Sequence, residues 1–267
     1  MKKNIKTILN KVLRSKGVAI TRIHDVDFLS QKYAALITEM EGVFSELLFK
    51  KLPQNPKRAL LLSKLNGTQI SEGFYLLHYL HESLQLEGDI CEFGTANGTT
   101  SALIASEIVK TNKNLWLFDS FQGLSKPTKE DKLIDDIFHL GSMGKYEGTM
   151  SYTKEEVLER LQTTHFPKRR IKIIPGFIEE TIIQMTLPKQ VSFAYIDFDL
   201  YSPIRTALEF LHSTLAKGGY IVVDDYGAFS EGAKVAVDEF VSYHKRKYKI
   251  TFPLSFAGHF CILKKIS

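Results

Sequence analysis

Tyr195-Ile196-Asp197-Phe198-Asp199-Leu200-Tyr201 and Val222-Val223-Asp224-Asp225-Tyr226 carry the reading of the fold. Each closes a β-branched and aromatic run that reads as a buried strand. An unpaired charge at such a place is costly to desolvate. Asp197, Asp224 and Asp225 would repel one another unless a cation or a proton sat among them. Hard carboxylate oxygens converging on one spot suit a divalent cation such as Mg2+. A blander reading gives Asp224 and Asp225 to a turn or helix cap, and pairs Asp199 with Arg205.

The flanking sequence repeats the pattern. Strands are expected at 89–93, 115–118, 171–174, 191–196 and 220–223, with two more near 248–252 and 259–263. Helices are expected over 72–86, 99–109, 154–162, 203–215 and 231–245. Strands alternating with helices imply a mostly parallel sheet covered on both faces, an α/β fold. Ligands of such sheets bind beyond the carboxyl ends of the strands. The turn Glu92-Phe93-Gly94-Thr95-Ala96-Asn97-Gly98, Asp119, Gly176, Asp197 and Asp224-Asp225 each follow a predicted strand, so all converge on one edge. Gly94 and Gly98 let backbone approach a ligand at a helix N-terminus. Asp119, after the second strand, is placed to accept both ribose hydroxyls of an adenosine-type cofactor.

Residues 1–60 read as a helical extension and 61–267 as the sheet domain. From Gln122 to about Ser151 little regular structure is expected, and loops of that length commonly serve as lids. It leaves the same sheet edge as Asp119 and reads as a flap over an acceptor site. His139 and Tyr146 lie within it, and His139 is a candidate base near neutral pH. His78 and His81 share a helix face without a third ligand and read as structural.

The composition is that of a globular chain, 44% hydrophobic and 24% charged. A net charge of +5 is too mild to imply nucleic-acid binding. Cys91 and Cys261 lack metal spacing and read as core residues. No apolar run reaches the roughly 20 residues that span a bilayer, and no signal-peptide pattern is present, so a cytoplasmic protein is expected. Ile5, Ile8, Leu9, Val12 and Leu13 fall at helical spacing among Lys2, Lys3, Lys6, Lys11, Arg14 and Lys16. Such a helix either docks on the protein itself or a second subunit, or lies on an anionic membrane surface. A homo-oligomer is expected.

Four ordered motifs resemble the macrocin O-methyltransferase family: Gly88-Asp89-Ile90-Cys91-Glu92-Phe93-Gly94, Leu117-Phe118-Asp119-Ser120-Phe121-Gln122-Gly123-Leu124, Ile196-Asp197-Phe198-Asp199-Leu200-Tyr201-Ser202-Pro203, and Gly218-Gly219-Tyr220-Ile221-Val222-Val223-Asp224-Asp225-Tyr226. The resemblance covers about 68–240. It implies a class I, Rossmann-like methyltransferase fold with seven strands, S-adenosylmethionine as cofactor, and Mg2+ on Asp197, Asp224 and Asp225. It puts Glu92, Gly94, Thr95 and Gly98 near the methionine part of the cofactor, Asp119 and Ser120 at the ribose, and Gly176 and Phe177 near the adenine.

Metal-dependent catechol methyltransferases carry a lysine shortly after the first metal aspartate. Here that neighbourhood is Phe198-Asp199-Leu200. This favours a sugar or glycan hydroxyl as acceptor over a phenol, with Asp197 taking the proton directly or through the metal shell. Two other classes compete: nicotinamide-dependent oxidoreduction, and a non-catalytic binding protein that kept the fold.

Overall fold

Side chains alternate between two cores along the central strands. In the computed structural model, which describes residues 25–267, these are β1 (Asp89–Phe93), β4 (Val191–Ile196) and β5 (Leu215–Val223). Ile90, Phe193, Tyr195, Tyr220 and Val222 enter one buried cluster; Cys91, Phe93, Ala194, Ile196, Ile221 and Val223 enter the other. Successive strand residues point to opposite faces, so near-continuous apolar runs are what a sheet covered on both sides requires.

With β2 (Leu115–Asp119), β3 (Ile171–Pro175), β6 (Tyr248–Thr251) and β7 (Cys261–Lys265), the sheet has the order β3-β2-β1-β4-β5-β7-β6. β1 to β5 run parallel, and β7 is antiparallel to both β5 and β6. The expected α/β architecture is present. The order turns back on itself between β1 and β4, which is where a crevice opens in this topology.

Helices α1 (Asp25–Leu47), α2 (Arg58–Leu62), α3 (Ile70–Ser83) and α4 (Thr99–Ile108) bury residues in the first core. Phe44 of α1 packs its ring 4.8 Å from Phe74 of α3. The buried Arg58 pairs with Glu107 at 2.8 Å and also with Glu41, and His81 meets the same Glu107. His78 stacks on Phe49. Both histidines are thus built into packing, as expected. α5 (Lys154–Gln162) starts with a reciprocal capping box between Thr153 and Glu156. α7 (Tyr201–Thr214) and α8 (Glu231–Tyr243) cover the second core.

Three elements differ from the sequence expectation. β5 begins at Leu215, not Tyr220: its pairing with β4 jumps register between Val191 and Phe193, and the irregularity absorbs Gly218 and Gly219. α2 and α6 (Ile178–Gln184) had no expectation, because one or two turns carry too little periodicity. The amphipathic segment before Asp25 lies outside the described residues. No helix among the described residues is long and apolar enough to cross a membrane. Cys91 and Cys261 are buried and free.

The segment from Gln122 to Ser151 is ordered around its own small core. Met143 and Tyr146, in a short 3-10 turn, pack with Leu200 and Phe229. Buried Asp131 anchors it: one carboxylate oxygen accepts the Tyr201 N–H (2.8 Å) and the Ser230 hydroxyl (3.1 Å), at the N-termini of α7 and α8. A carboxylate suits the free N–H groups and positive dipole end there.

Candidate active site

Each turn that follows a central strand contains a non-glycine residue with left-handed backbone: Ala96 after β1, Phe121 after β2, Asp199 after β4 and Asp225 after β5. Such conformations are uncommon and tend to gather where function holds them. These turns surround a cavity of about 490 Å³ beyond the carboxyl ends of the strands. Gly94, Asp119, Ser120, Gly176, Phe177, Asp197, Asp224 and Asp225 line it. The flap contributes Leu124, Asp135, Ile137, Phe138 and Met150. No lysine, arginine or histidine among the described residues lines it.

The glycine turn is held from below and from the side. Asp119 Oδ2 accepts the N–H groups of Thr95 (2.7 Å) and Ala96 (3.1 Å) and the Thr95 hydroxyl (3.1 Å). Its Oδ1 accepts the Phe121 N–H at 2.7 Å. The Ser120 hydroxyl donates to the Gly123 carbonyl and accepts the Gln122 N–H. Glu92, Thr95 and Gly98 do not line the cavity. Glu92 is wholly buried beneath the turn, where the hydroxyls of Thr100 and Ser101 donate to its two oxygens. Gly98 lies against Val157 of α5.

Burial pushes the Glu92 carboxyl up to about 8, against the pull of those two hydroxyls. Its unfolded-state pKa is near 4.5, so between about pH 5 and 8 the folded form holds a proton that the unfolded form has lost. Stability contributed by that proton is present at low pH and disappears as pH rises through 8. Thermal melts should therefore show a falling stability across this window, and Glu92→Gln, which cannot titrate, should flatten the slope. An unchanged slope would dissociate it from Glu92.

Asp197, Asp199 and Asp225 each offer a carboxylate oxygen within 4.8 Å of the others. Asp224 lines the same cavity, but its Oδ1 accepts the Asp225 N–H (2.8 Å) and its Oδ2 meets the Tyr195 hydroxyl (3.0 Å). Glu72 of α3, almost fully buried, lies 3.2 Å from the same hydroxyl. Burial, then the charge of Asp224, pushes Asp197 and Glu72 well above the carboxylate range. Burial, then Asp225, raises Asp199 likewise and takes Asp224 to about 7. Burial raises Asp225. Hard oxygens whose charges oppose one another are a donor set that a divalent cation fits.

Some expectations redistribute. Arg205 donates to the Tyr201 hydroxyl (3.0 Å), so the ion pair weighed for Asp199 does not form. His139 is exposed and does not reach the cavity. Tyr146 is fully buried, its hydroxyl donating to Asp136 (2.7 Å) and accepting the Phe138 N–H (3.0 Å). Both serve the flap's own structure. In the sequence Tyr195 reads only as part of a strand, and Glu72 only as the start of a helix within a stretch, 68–73, that the resemblance puts near the cofactor. The signal for Glu72 is an acid at the head of the apolar helix Ile70-Ser71-Glu72-Gly73-Phe74.

The sheet order and the crevice at its turning point define a class I methyltransferase fold. Solved structures share it. The O-methyltransferase NovP superposes with a TM-score of 0.65 at 17% identity, over 89% of this chain and 100% of that one. The calicheamicin methyltransferase CalS11 gives 0.59 at 18% identity, over 94% and 96%. The chain belongs to the macrocin-O-methyltransferase (TylF) family, whose model matches residues 79–263.

Relatives include 8-demethyl-8-(2,3-dimethoxy-alpha-L-rhamnosyl)-tetracenomycin-C 4'-O-methyltransferase of Streptomyces olivaceus. It is 23% identical over 171 residues, 63% of this chain and 62% of that protein. Mycinamicin III 3''-O-methyltransferase of Micromonospora griseorubida is 25% identical over 57% of this chain and 61% of its own length. Less than two thirds of each relative is therefore matched.

Proposed function

We propose that the protein is an O-methyltransferase that moves the methyl group of S-adenosylmethionine to a hydroxyl of a sugar or glycan, with Mg2+ held by Asp197, Asp224 and Asp225. The observation that carries this reading is the meeting of a glycine turn with Asp197, Asp224 and Asp225 in one cavity at the turning point of the sheet. Relatives named for methylating a rhamnosyl 4'-hydroxyl and a 3''-hydroxyl favour a sugar acceptor.

An aliphatic alcohol is a very weak acid, and Mg2+ bound at these aspartates would supply Lewis acidity that makes the hydroxyl easier to deprotonate. The chain's own residues do the rest. Gly94, without a side chain, lets the Asp197 carbonyl close on the end of β1. Asp197 accepts the acceptor's proton on its carboxylate. The flap, through Ile137, Phe138 and Met150, shields the reacting atoms from water. Holding two reactants in line supplies much of the acceleration. No lysine among the described residues lines the cavity, so a catechol-type lysine base has no candidate among them.

The test is methyl transfer from S-adenosylmethionine to a panel of vicinal-diol sugars and glycosides, run beside catechols. Sugars should be methylated, activity should vanish on exhaustive chelation, and added Mg2+ should restore it. Transfer that survives chelation unchanged, or that occurs on catechols alone, overturns the proposal.

A further inference from the structure

Tyr195 and Val222 are direct partners across β4 and β5. Asp197 and Asp224 each lie two residues further on, so a tyrosine on β4 stands directly behind the pair of aspartates. Tyr195 is fully buried, and its hydroxyl lies among four oxygens: Asp224 Oδ2 at 3.0 Å, Glu72 Oε1 at 3.2 Å, Thr68 Oγ1 at 3.4 Å and Asp197 Oδ2 at 3.5 Å. We infer that Tyr195 is a positioning residue of the cation site, its hydroxyl holding the Asp224 carboxylate in place beside Asp197. The inference rests on the proposed reading that these aspartates hold Mg2+.

A phenol has one proton to donate and lone pairs to accept with. The Thr68 hydroxyl is left to donate to the phenol oxygen, with the phenol proton given to Asp224, its nearest carboxylate oxygen. Asp224 needs that donor most, because its other oxygen is already tied to the Asp225 N–H. Glu72 approaches from α3, outside the sheet, and closes the far side of the hydroxyl. A carboxylate held at two points cannot swing away when its neighbours repel it. Outer partners of this kind orient metal-binding carboxylates and commonly change metal affinity about 10–100-fold when removed.

A purely architectural tyrosine, pinning α3 to the sheet, would affect melting temperature and leave cation affinity alone. The two roles separate on direct titration of the full chain with Mn2+, followed by electron paramagnetic resonance. Tyr195→Phe should weaken Mn2+ binding about 10–100-fold, leave affinity for S-adenosylhomocysteine unchanged, and recover most of its turnover at saturating Mg2+. Unchanged Mn2+ affinity in a folded Tyr195→Phe overturns the inference while the cation reading stands. A wild-type chain that binds no Mn2+ overturns both. Should Tyr195→Phe fail to fold, Thr68→Val takes its place: a several-fold loss of Mn2+ affinity supports the role, and no loss overturns it.

Discussion

Asp197→Asn should all but abolish methyl transfer while the cofactor still binds. Removing a positioned general base costs about 10²–10⁴ in rate, and here the same carboxylate is also a proposed cation ligand, so the upper end is expected. The substitution is nearly isosteric and leaves the backbone alone. The Asp197 N–H donates to the Phe93 carbonyl at 2.7 Å, which fixes the end of β4 independently of the side chain. The amide carries no charge, so it relieves the repulsion that burial, Asp224 and Asp225 impose on Asp197. Thermal stability in the absence of metal should therefore hold or rise. The three readouts are kcat under saturating Mg2+, S-adenosylhomocysteine affinity by calorimetry, and a thermal melt. Retained turnover excludes Asp197 as the proton acceptor. Lost cofactor affinity would show that the residue serves the donor side of the cavity.

What the sequence could reveal about this site follows from how far apart the parts lie in the chain. Asp197 and Asp224 were legible because each directly ends an apolar run, and parallel strands bring their ends to one edge whatever the details of register. Asp199 was harder. Two residues along a strand share a face, yet β4 stops at Ile196, and it is the left-handed backbone at Asp199 that brings its carboxylate to Asp197 and Asp225. Helical and strand periodicity contain no information about such a turn.

Glu92 was legible as an acid beside the glycine turn but not as a buried one. Its side-chain position depends on Thr100 and Ser101 donating from the first turn of α4. Glu72 reaches the Tyr195 hydroxyl across more than a hundred residues of chain, and only tertiary packing reveals it. The flap misled for a related reason. His139 and Tyr146 looked available because the segment lacks periodicity, whereas Asp131 and Asp136 bind it into a fixed structure with its own core.

Gly94→Ala should be the most damaging single-methyl change in the site. The residue has φ of +85°, and a Cβ there would lie 1.9 Å from the carbonyl oxygen of Asp197 and 2.8 Å from its carbonyl carbon. Both are backbone atoms, so no rotamer change relieves the overlap. Neither strand can readily give way: the Gly94 N–H donates to the Phe118 carbonyl at 2.8 Å on one side, and the Asp197 N–H to the Phe93 carbonyl on the other. The left-handed conformation alone costs a side chain about 1–2 kcal/mol, and forced overpacking adds about 1–3 kcal/mol. For a chain of this size, about 2–5 kcal/mol lowers the melting temperature by roughly 5–20 °C. Because the displaced atoms belong to Asp197, affinity for both S-adenosylhomocysteine and Mn2+ should fall with stability. Gly148→Ala in the flap is the control. Its φ is +75°, but a Cβ there meets nothing within 4 Å. It should lose only the conformational share and keep both affinities. Equal melting temperatures for the two variants would mean that the close approach of β1 and β4 at this crossing does not constrain the site.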